Sequence, residues 1–167
     1  MRTARNPLHV TTAMTRTETA PMNHDAPFWE TTPLTEMTAE QWESLCDGCG
    51  KCCLEKFEEE DTGEIVYSRV ACALLDIRTC RCKDYANRAA KMADCVDLAP
   101  AVLLVPNWLP ETCAYRRLAE GKALPEWHPL RTGTPDSVVE AGHSVRGRVI
   151  GPESGEDPLM NLIDWIR

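Results

Sequence analysis

The chain has 167 residues, of which 43% are hydrophobic and 6% aromatic, and its net charge at pH 7 is -8. This length suits one domain with a modest core. The acidity argues against a general surface for nucleic acid or anionic membranes, because phosphate binding depends on Lys and Arg. The longest apolar run, residues 99–105, contains Pro100 and is shorter than the roughly 18 residues that a membrane-spanning helix needs.

Residues 1–26 are rich in Thr and Arg and lack apolar periodicity. We expect a disordered tail or a start assigned too early, since Met14 and Met22 follow, with a transit peptide as the alternative. The segment has no apolar stretch of the kind found in secretory signals, which predicts a cytoplasmic protein with reduced thiols. The folded domain is predicted to span residues 27–167.

A short helix is predicted from Ala39 to about Cys46, because Thr38 and Gln41 form the pattern of a capping box. Trp42 on this helix is expected in the core.

The stretch CDGCGKCC at residues 46–53 follows and holds four of the nine cysteines. Cys46, Cys49 and Cys52 have CxxCxxC spacing, and Cys53 comes directly after. The intervening glycines suit a backbone that folds several sulfurs around one centre. Vicinal cysteines suggest either two neighbouring metal sites or one ligand beside one buried thiol.

The next segment predicts a β-hairpin with its turn at Asp61–Gly63. The acidic run at residues 58–61 is interpreted as a solvated loop, with a hard-cation site as the alternative. Cys72 lies on the apolar segment 70–76, and a turn is predicted at residues 77–79.

Cys80 and Cys82 would point to the same face of an extended segment and could serve one centre. Asp84 is then predicted to cap a helix from Tyr85 to about Met92, which precedes Cys95.

Two further helices are predicted, over Leu98–Val105 and over Glu111–Glu120, with Pro110 before the second and Gly121 closing it. Cys113 would lie in the first turn near arginines. Such a thiol can have a lowered pKa and be reactive, but a buried cysteine or an additional ligand is the alternative.

The C-terminal part predicts a helical turn at Pro135–Ala141, an edge strand at Val145–Ile150 and an amphipathic helix from Pro158 that docks on the domain or on a partner. His128 or His143 could complete a metal sphere, the alternative being a packing or surface histidine.

These elements predict an α+β fold, a helix-rich small single domain with a short hairpin and irregular cysteine-rich loops around a metal or cluster. An odd number of cysteines in a reducing compartment argues against disulfides. The predicted metal ligands are Cys46, Cys49, Cys52, Cys53, Cys72, Cys80, Cys82 and Cys95.

Several blocks in order resemble the bacterial YcgN-like (UPF0260) group of the YkgJ-type cysteine-cluster family, described as zinc- or iron-chelating proteins. They are CDGCGKCC, CALLD, CRC, WLPETCAYR, WHPL and AGHSVRG, within about Phe28 to Ile150. The resemblance implies that the family's CxxCGxCC core falls on Cys46, Cys49, Gly50, Cys52 and Cys53, and its downstream positions on Cys72, Cys82, Tyr85 and Arg88. A similar cluster in flagellin lysine methylases keeps a redox-active iron–sulfur interpretation open.

Thiolates suit both zinc and iron. CxxCxxC also matches the first ligands of a bacterial ferredoxin run, but the CxxxCP continuation is absent, so a fourth ligand would come from downstream. We therefore expect a protein that binds zinc, iron or an iron–sulfur cluster, with a possible protein partner. A redox enzyme or electron relay that uses the cluster or Cys113, and an adaptor with a structural metal, are the alternatives. No catalytic triad, phosphate loop or HExxH pattern supports a hydrolase.

Overall fold

The computed structural model describes residues 26–95, 98–99 and 108–166. Short helices and two small antiparallel sheets are the regular elements of this part of the chain. The helices are α1 (Phe28–Thr31), α2 (Ala39–Ser44), α3 (Arg88–Lys91), α4 (Ala114–Ala119), α5 (Pro129–Thr132) and α6 (Ser137–Glu140). The strands are β1 (Leu54–Glu58), β2 (Ile65–Ala71), β3 (Leu75–Asp76), β4 (Arg81–Cys82) and β5 (Leu162–Ile163). The α+β class is confirmed. The predicted tail at 1–26 lies outside the described residues except for residue 26. The predicted helix Leu98–Val105 lies outside them except for residues 98 and 99.

Helix α2 begins with the predicted capping box. The Gln41 amide donates to Thr38 Oγ1 at 3.2 Å, and the Thr38 amide donates to Gln41 Oε1 at 2.9 Å. Trp42 is buried, as expected, and its ring centroid lies 4.8 Å from that of Tyr115. A first core cluster forms here from Met37, Trp42, Leu45, Ala114, Tyr115 and Leu124.

The predicted hairpin is confirmed, because β1 pairs antiparallel with β2 and the chain turns between Glu58 and Ile65. The predicted C-terminal helix is wrong. The chain makes one 3₁₀ turn at Pro158–Asn161 and then adds β5 antiparallel to β2. The free edge of β2 offers backbone hydrogen bonds that a helix at this place would leave unused.

The predicted edge strand at Val145–Ile150 is reduced to a single bridge between Val70 and Ile150, since residues 146–148 form a turn. A second core cluster packs under the sheet from Leu54, Tyr67, Ala71, Leu75, Cys80, Val145, Val149 and Ile166.

Two predicted helices begin differently from expectation. Residues Tyr85–Asn87 form a 3₁₀ turn before α3, and Asp84 does not cap the backbone but pairs with Lys91 at 2.5 Å. Helix α4 starts at Ala114 with Cys113 as its N-cap residue, although Gly121 follows its end as predicted. No helix among the described residues has the length and apolarity to cross a membrane.

The cysteine loop, residues 46–53, joins the two core clusters. Leu45, which is fully buried, precedes it in the first cluster, and Leu54 follows it in the second. The loop therefore lies where two hydrophobic cores meet, and its thiols are held by packing on both sides.

Candidate metal centre

Two glycines shape the cysteine loop. Gly50 has φ 78° and ψ 0°, and a 3₁₀ turn at Lys51–Cys53 follows it. A Cβ at Gly50 would lie 2.7 Å from Val145 Cγ2, so the backbone approaches the second core too closely for a side chain. The Val145 amide donates to the Cys49 carbonyl at 2.9 Å. These contacts seat the loop on the segment around Val145.

Asp47 is a charged residue inside this loop, and sequence reasoning missed it. It is 6% exposed, and its Oδ1 accepts a hydrogen bond from the Cys49 amide at 2.9 Å. Its Oδ2 is buried without any hydrogen-bond partner. A buried carboxylate oxygen without a partner is costly unless a proton or a cation offsets its charge. The acidic residue between Cys46 and Cys49 was the sequence signal for it.

Cys46 and Cys52 are exposed as whole residues, but protein atoms surround their sulfurs closely enough to shift the pKa of each thiol. Burial raises the pKa of Cys46 to about 12, and the charges of Cys52 and Asp47 add to the rise. The contact with Cys53 raises the pKa of Cys52, and burial raises it further. Burial also raises the pKa of Cys49, as do the charges of Asp47 and Cys52. The thiols of Cys46, Cys49 and Cys52 therefore lie close enough to Asp47 for its charge to act on all three.

Cys113, at the N-terminus of α4, lies near the same carboxylate. Burial raises its pKa to about 12, and the charges of Cys52 and Asp47 contribute in the same direction. The prediction that Cys113 has a lowered pKa is therefore wrong, because burial outweighs the backbone N–H groups of the helix, which stabilise the thiolate. We call Cys46, Cys49, Cys52 and Cys113 the loop group.

A second set of thiols continues from Cys53. The Cys72 amide donates to the Cys53 carbonyl at 2.8 Å, which places the loop against the end of β2. Burial raises the pKa of Cys95, and the nearby charges of Cys72 and Cys82 also raise it, whereas the charge of Arg88 lowers it. We call Cys53, Cys72, Cys82 and Cys95 the strand group.

Cys52 and Cys53 connect the two groups. Their sulfurs lie 4.0 Å apart, close to the roughly 3.8 Å edge of a tetrahedron of thiolates around zinc. The vicinal pair therefore has the spacing to share one centre or to supply two adjacent ones.

Cationic side chains lie beside the thiols. The Arg81 guanidinium lies over Gly48, where a Cβ would be 3.0 Å from its central carbon. Arg88 stacks on the Tyr85 ring at 3.8 Å, and the Tyr85 hydroxyl donates to Glu43 at 2.7 Å. The two residues that the resemblance implied, Tyr85 and Arg88, thus contact each other beside the thiols.

Three candidate residues are engaged elsewhere. Cys80 has φ 55°, a left-handed rather than an extended conformation. The prediction that Cys80 and Cys82 point to the same face of an extended segment is therefore wrong. Its side chain is 5% exposed in the second core, with the sulfur 3.4 Å from Ser144 Oγ. His128 is fully buried, and its ring nitrogens contact the Leu45 carbonyl at 3.1 Å and the Leu130 amide at 3.1 Å.

His143 stacks on Trp127 with ring centroids 4.4 Å apart. Burial lowers the pKa of both His128 and His143. Both geometries match the packing role that was the alternative to metal binding.

The donor set fits a thiophilic metal, because thiolates suit zinc and iron alike and a buried, unpartnered carboxylate oxygen calls for a cation. As they stand, no three His, Cys, Asp or Glu side chains within 26–95, 98–99 and 108–166 are arranged to hold a metal ion. Coordination would therefore need thiol side chains to rotate toward one another.

An α+β fold with four cysteines in one eight-residue loop beside a buried carboxylate is typical of a cysteine-cluster protein. Residues 45–114 match the CxxCxxCC family, described as a "Putative zinc- or iron-chelating domain". The UPF0260 protein of Gluconacetobacter diazotrophicus is 53% identical over 86% of this chain and 90% of its own length. The UPF0260 protein of Rhizorhabdus wittichii is 55% identical over 86% of this chain and 98% of its own length. The UPF0260 protein of a Caulobacter strain is 56% identical over 84% of this chain and 86% of its own length. The chain belongs to the UPF0260 family, and no solved structure matches it.

Proposed function

We propose that the protein binds zinc or an iron–sulfur centre through the thiolates of the loop group and the strand group. The observation that carries the proposal is Asp47, whose buried carboxylate oxygen has no partner and whose charge raises the pKa of every thiol in the loop group. Free cysteines usually pack as small hydrophobic residues. Only Cys80 among the nine is buried in that way.

The electrostatics of the loop group support a cation. Without one, the raised pKa values keep the thiols of Cys46 and Cys113 protonated at pH 7. A bound metal ion supplies positive charge that stabilises thiolates and offsets the Asp47 carboxylate. The chain's own contribution is to hold the sulfurs and the carboxylate together before binding.

Cys113 replaces Cys80 in the ligand set that we propose. Cys113 shares the charge environment of Cys52 and Asp47, whereas Cys80 contacts Ser144 within a hydrophobic cluster. The groups hold four thiols each, the number that a closed zinc site or an iron–sulfur cluster takes.

Anaerobic purification with metal analysis and a visible absorption spectrum tests the proposal. Zinc would give a colourless protein with stoichiometric metal, whereas an iron–sulfur centre would give a brown protein with both iron and acid-labile sulfide. A well-folded protein that is colourless and free of metal, and that does not take up either metal when reconstituted, would overturn it.

Cys113→Ser and Cys80→Ser form a matched pair of variants for the ligand assignment. We expect Cys113→Ser to lose metal, because a serine hydroxyl is a poor ligand for a thiophilic ion. Cys80→Ser should keep its metal, since the hydroxyl can still hydrogen-bond Ser144. Metal loss in Cys80→Ser alone, with a circular dichroism spectrum like that of the wild type, would reverse the assignment.

An adaptor with a structural metal is the second candidate, and one surface favours it. Leu159, Met160 and Leu162 are exposed by 56%, 82% and 49% on the segment that leads into β5. Exposed apolar residues that adjoin one another are typical of protein interaction sites. A stable partner recovered with the wild type but not with Met160→Glu, and without redox change in the spectrum, would favour this role over electron transfer.

A further inference from the structure

A cavity with both polar and apolar lining lies at Lys51 of the cysteine loop, and no member of either thiol group lines it. Its volume is about 240 Å³, and it is lined by Lys51, Glu111, Thr112, His143, Asp164 and Trp165. Typical sites for drug-sized ligands span roughly 300–1,000 Å³. At about 30 Å³ per water-sized group, the cavity has room for about eight non-hydrogen atoms. Any ligand must therefore be small.

The floor of the cavity is positively charged. Lys51 is only 4% exposed, and its Nζ donates one hydrogen bond, to Thr112 Oγ1 at 3.0 Å. Within the described ranges no carboxylate lies within 4.0 Å of this ammonium group, which has three N–H donors. A buried ammonium with one neutral partner has the capacity to bind an anionic group, and a carboxylate is the small anion that matches adjacent ammonium and hydroxyl donors.

The mouth of the cavity is negatively charged. Glu111 and Asp164 are exposed lining residues, and neither is paired with Lys51. His143 and Trp165 form ring walls between floor and mouth, with His143 braced on Trp127 and Trp165 covered on one side by Arg148 at 3.6 Å. The lining thus combines one buried ammonium with two carboxylates that are exposed to solvent.

We propose that this cavity binds a small zwitterion of the α-amino acid class, with its carboxylate on Lys51 and Thr112 and its ammonium toward Glu111 and Asp164. A simple anion would meet the repulsion of the two mouth carboxylates. A simple cation would be repelled by Lys51 at the floor. Only a molecule that carries both charges satisfies the buried ammonium and the exposed carboxylates together.

Binding of three matched probes tests the charge requirement on the full-length protein as purified. L-serine has seven non-hydrogen atoms and both charges, glycerate lacks the ammonium, and ethanolamine lacks the carboxylate. We expect L-serine to bind about tenfold or more tightly than either analogue, because each analogue leaves one charged end of the cavity without its partner. Isothermal titration calorimetry and the indole N–H signal of Trp165 in NMR spectra report the binding.

The double variant Glu111→Gln with Asp164→Asn changes two exposed residues and should fold normally. We expect it to bind L-serine about tenfold more weakly and to lose the discrimination against glycerate. Glu126→Gln, at another exposed position, should bind as the wild type does. Lys51→Met should abolish binding, and if that variant misfolds, the double variant still decides the question.

Three results would overturn the inference. Glycerate that binds as tightly as L-serine would make the cavity an anion site, and ethanolamine that does so would make it a cation site. Absence of L-serine binding at millimolar concentration would leave the cavity without this ligand class. Metal content is measured separately from L-serine binding, so failure of this inference and failure of the proposed metal function can be distinguished.

Discussion

Gly50→Ala is the sharpest test of how the cysteine loop is seated. Gly50 has φ 78° and ψ 0°, a left-handed conformation that costs an L-residue roughly 1–2 kcal/mol. Its new Cβ would also lie 2.7 Å from Val145 Cγ2 and 3.3 Å from Cys80 Cβ. Forcing an extra methyl into a packed core costs roughly 1–3 kcal/mol more. The expected loss in the free energy of unfolding is therefore about 2–5 kcal/mol, a large share of the roughly 5–15 kcal/mol typical of a domain.

Gly133→Ala is a matched control, because Gly133 has φ 71° and ψ 6° and nothing lies within 4 Å of a Cβ built there. It should lose only the backbone cost of roughly 1–2 kcal/mol. Urea denaturation of the reduced, metal-free proteins, followed by circular dichroism, measures both variants. We also expect Gly50→Ala to bind metal more weakly, since folding and metal binding at such sites are coupled. Equal destabilisation in the two variants would refute the close packing of the loop on Val145.

The remaining predictions concern pH and one helix cap. Cys46 and Cys113 have pKa values of about 12 and must lose protons to bind metal. The apparent metal affinity should therefore rise with pH, by about tenfold per pH unit for each proton released. Chelator competition between about pH 6 and 8 measures this affinity, and a flat profile would contradict the prediction. Burial lowers the pKa of His128 in the folded protein below the ordinary value of 6.5. As the pH drops below 6.5, the unfolded chain therefore binds a proton that the folded protein does not, and the free energy of unfolding should fall. Denaturation of His128→Gln should show a shallower loss, and an unchanged slope would exclude His128 as the cause. Thr38→Ala removes the cap of α2 and should cost about 1 kcal/mol, whereas the exposed Thr35→Ala should cost close to nothing in the same measurement.

The elements that were predicted well are those whose signals are local. The capping box at Thr38 and Gln41 joins groups three residues apart, and the hairpin turn before β2 joins strands that are neighbours in the chain. The elements that were predicted poorly depend on distant partners. The segment after Pro158 has helical spacing of apolar residues, but the free edge of β2 converts it into β5.

The candidate site divides in the same way. Clustered cysteines and their spacing predicted a metal-binding protein and identified the family before any fold was known. Which thiols lie together was a different matter, because Cys80 is in sequence beside Cys82 but packs against Ser144, whereas Cys113, far along the chain, lies near Cys52. Spacing along the chain does not report the turn at Cys80 that points its sulfur into the core.

By itself, the sequence determined the α+β class, the cap of α2, the hairpin and a dense set of cysteines, because each depends on residue types and on contacts a few positions apart. Only the tertiary structure decided that Asp47 is buried with an unpartnered oxygen, that Cys113 joins the loop group, and that Lys51 forms the floor of a cavity. These features arise where two core clusters meet around one loop. Burial there is set by residues from distant parts of the chain, and burial is what gives the loop's charges and thiols their chemistry.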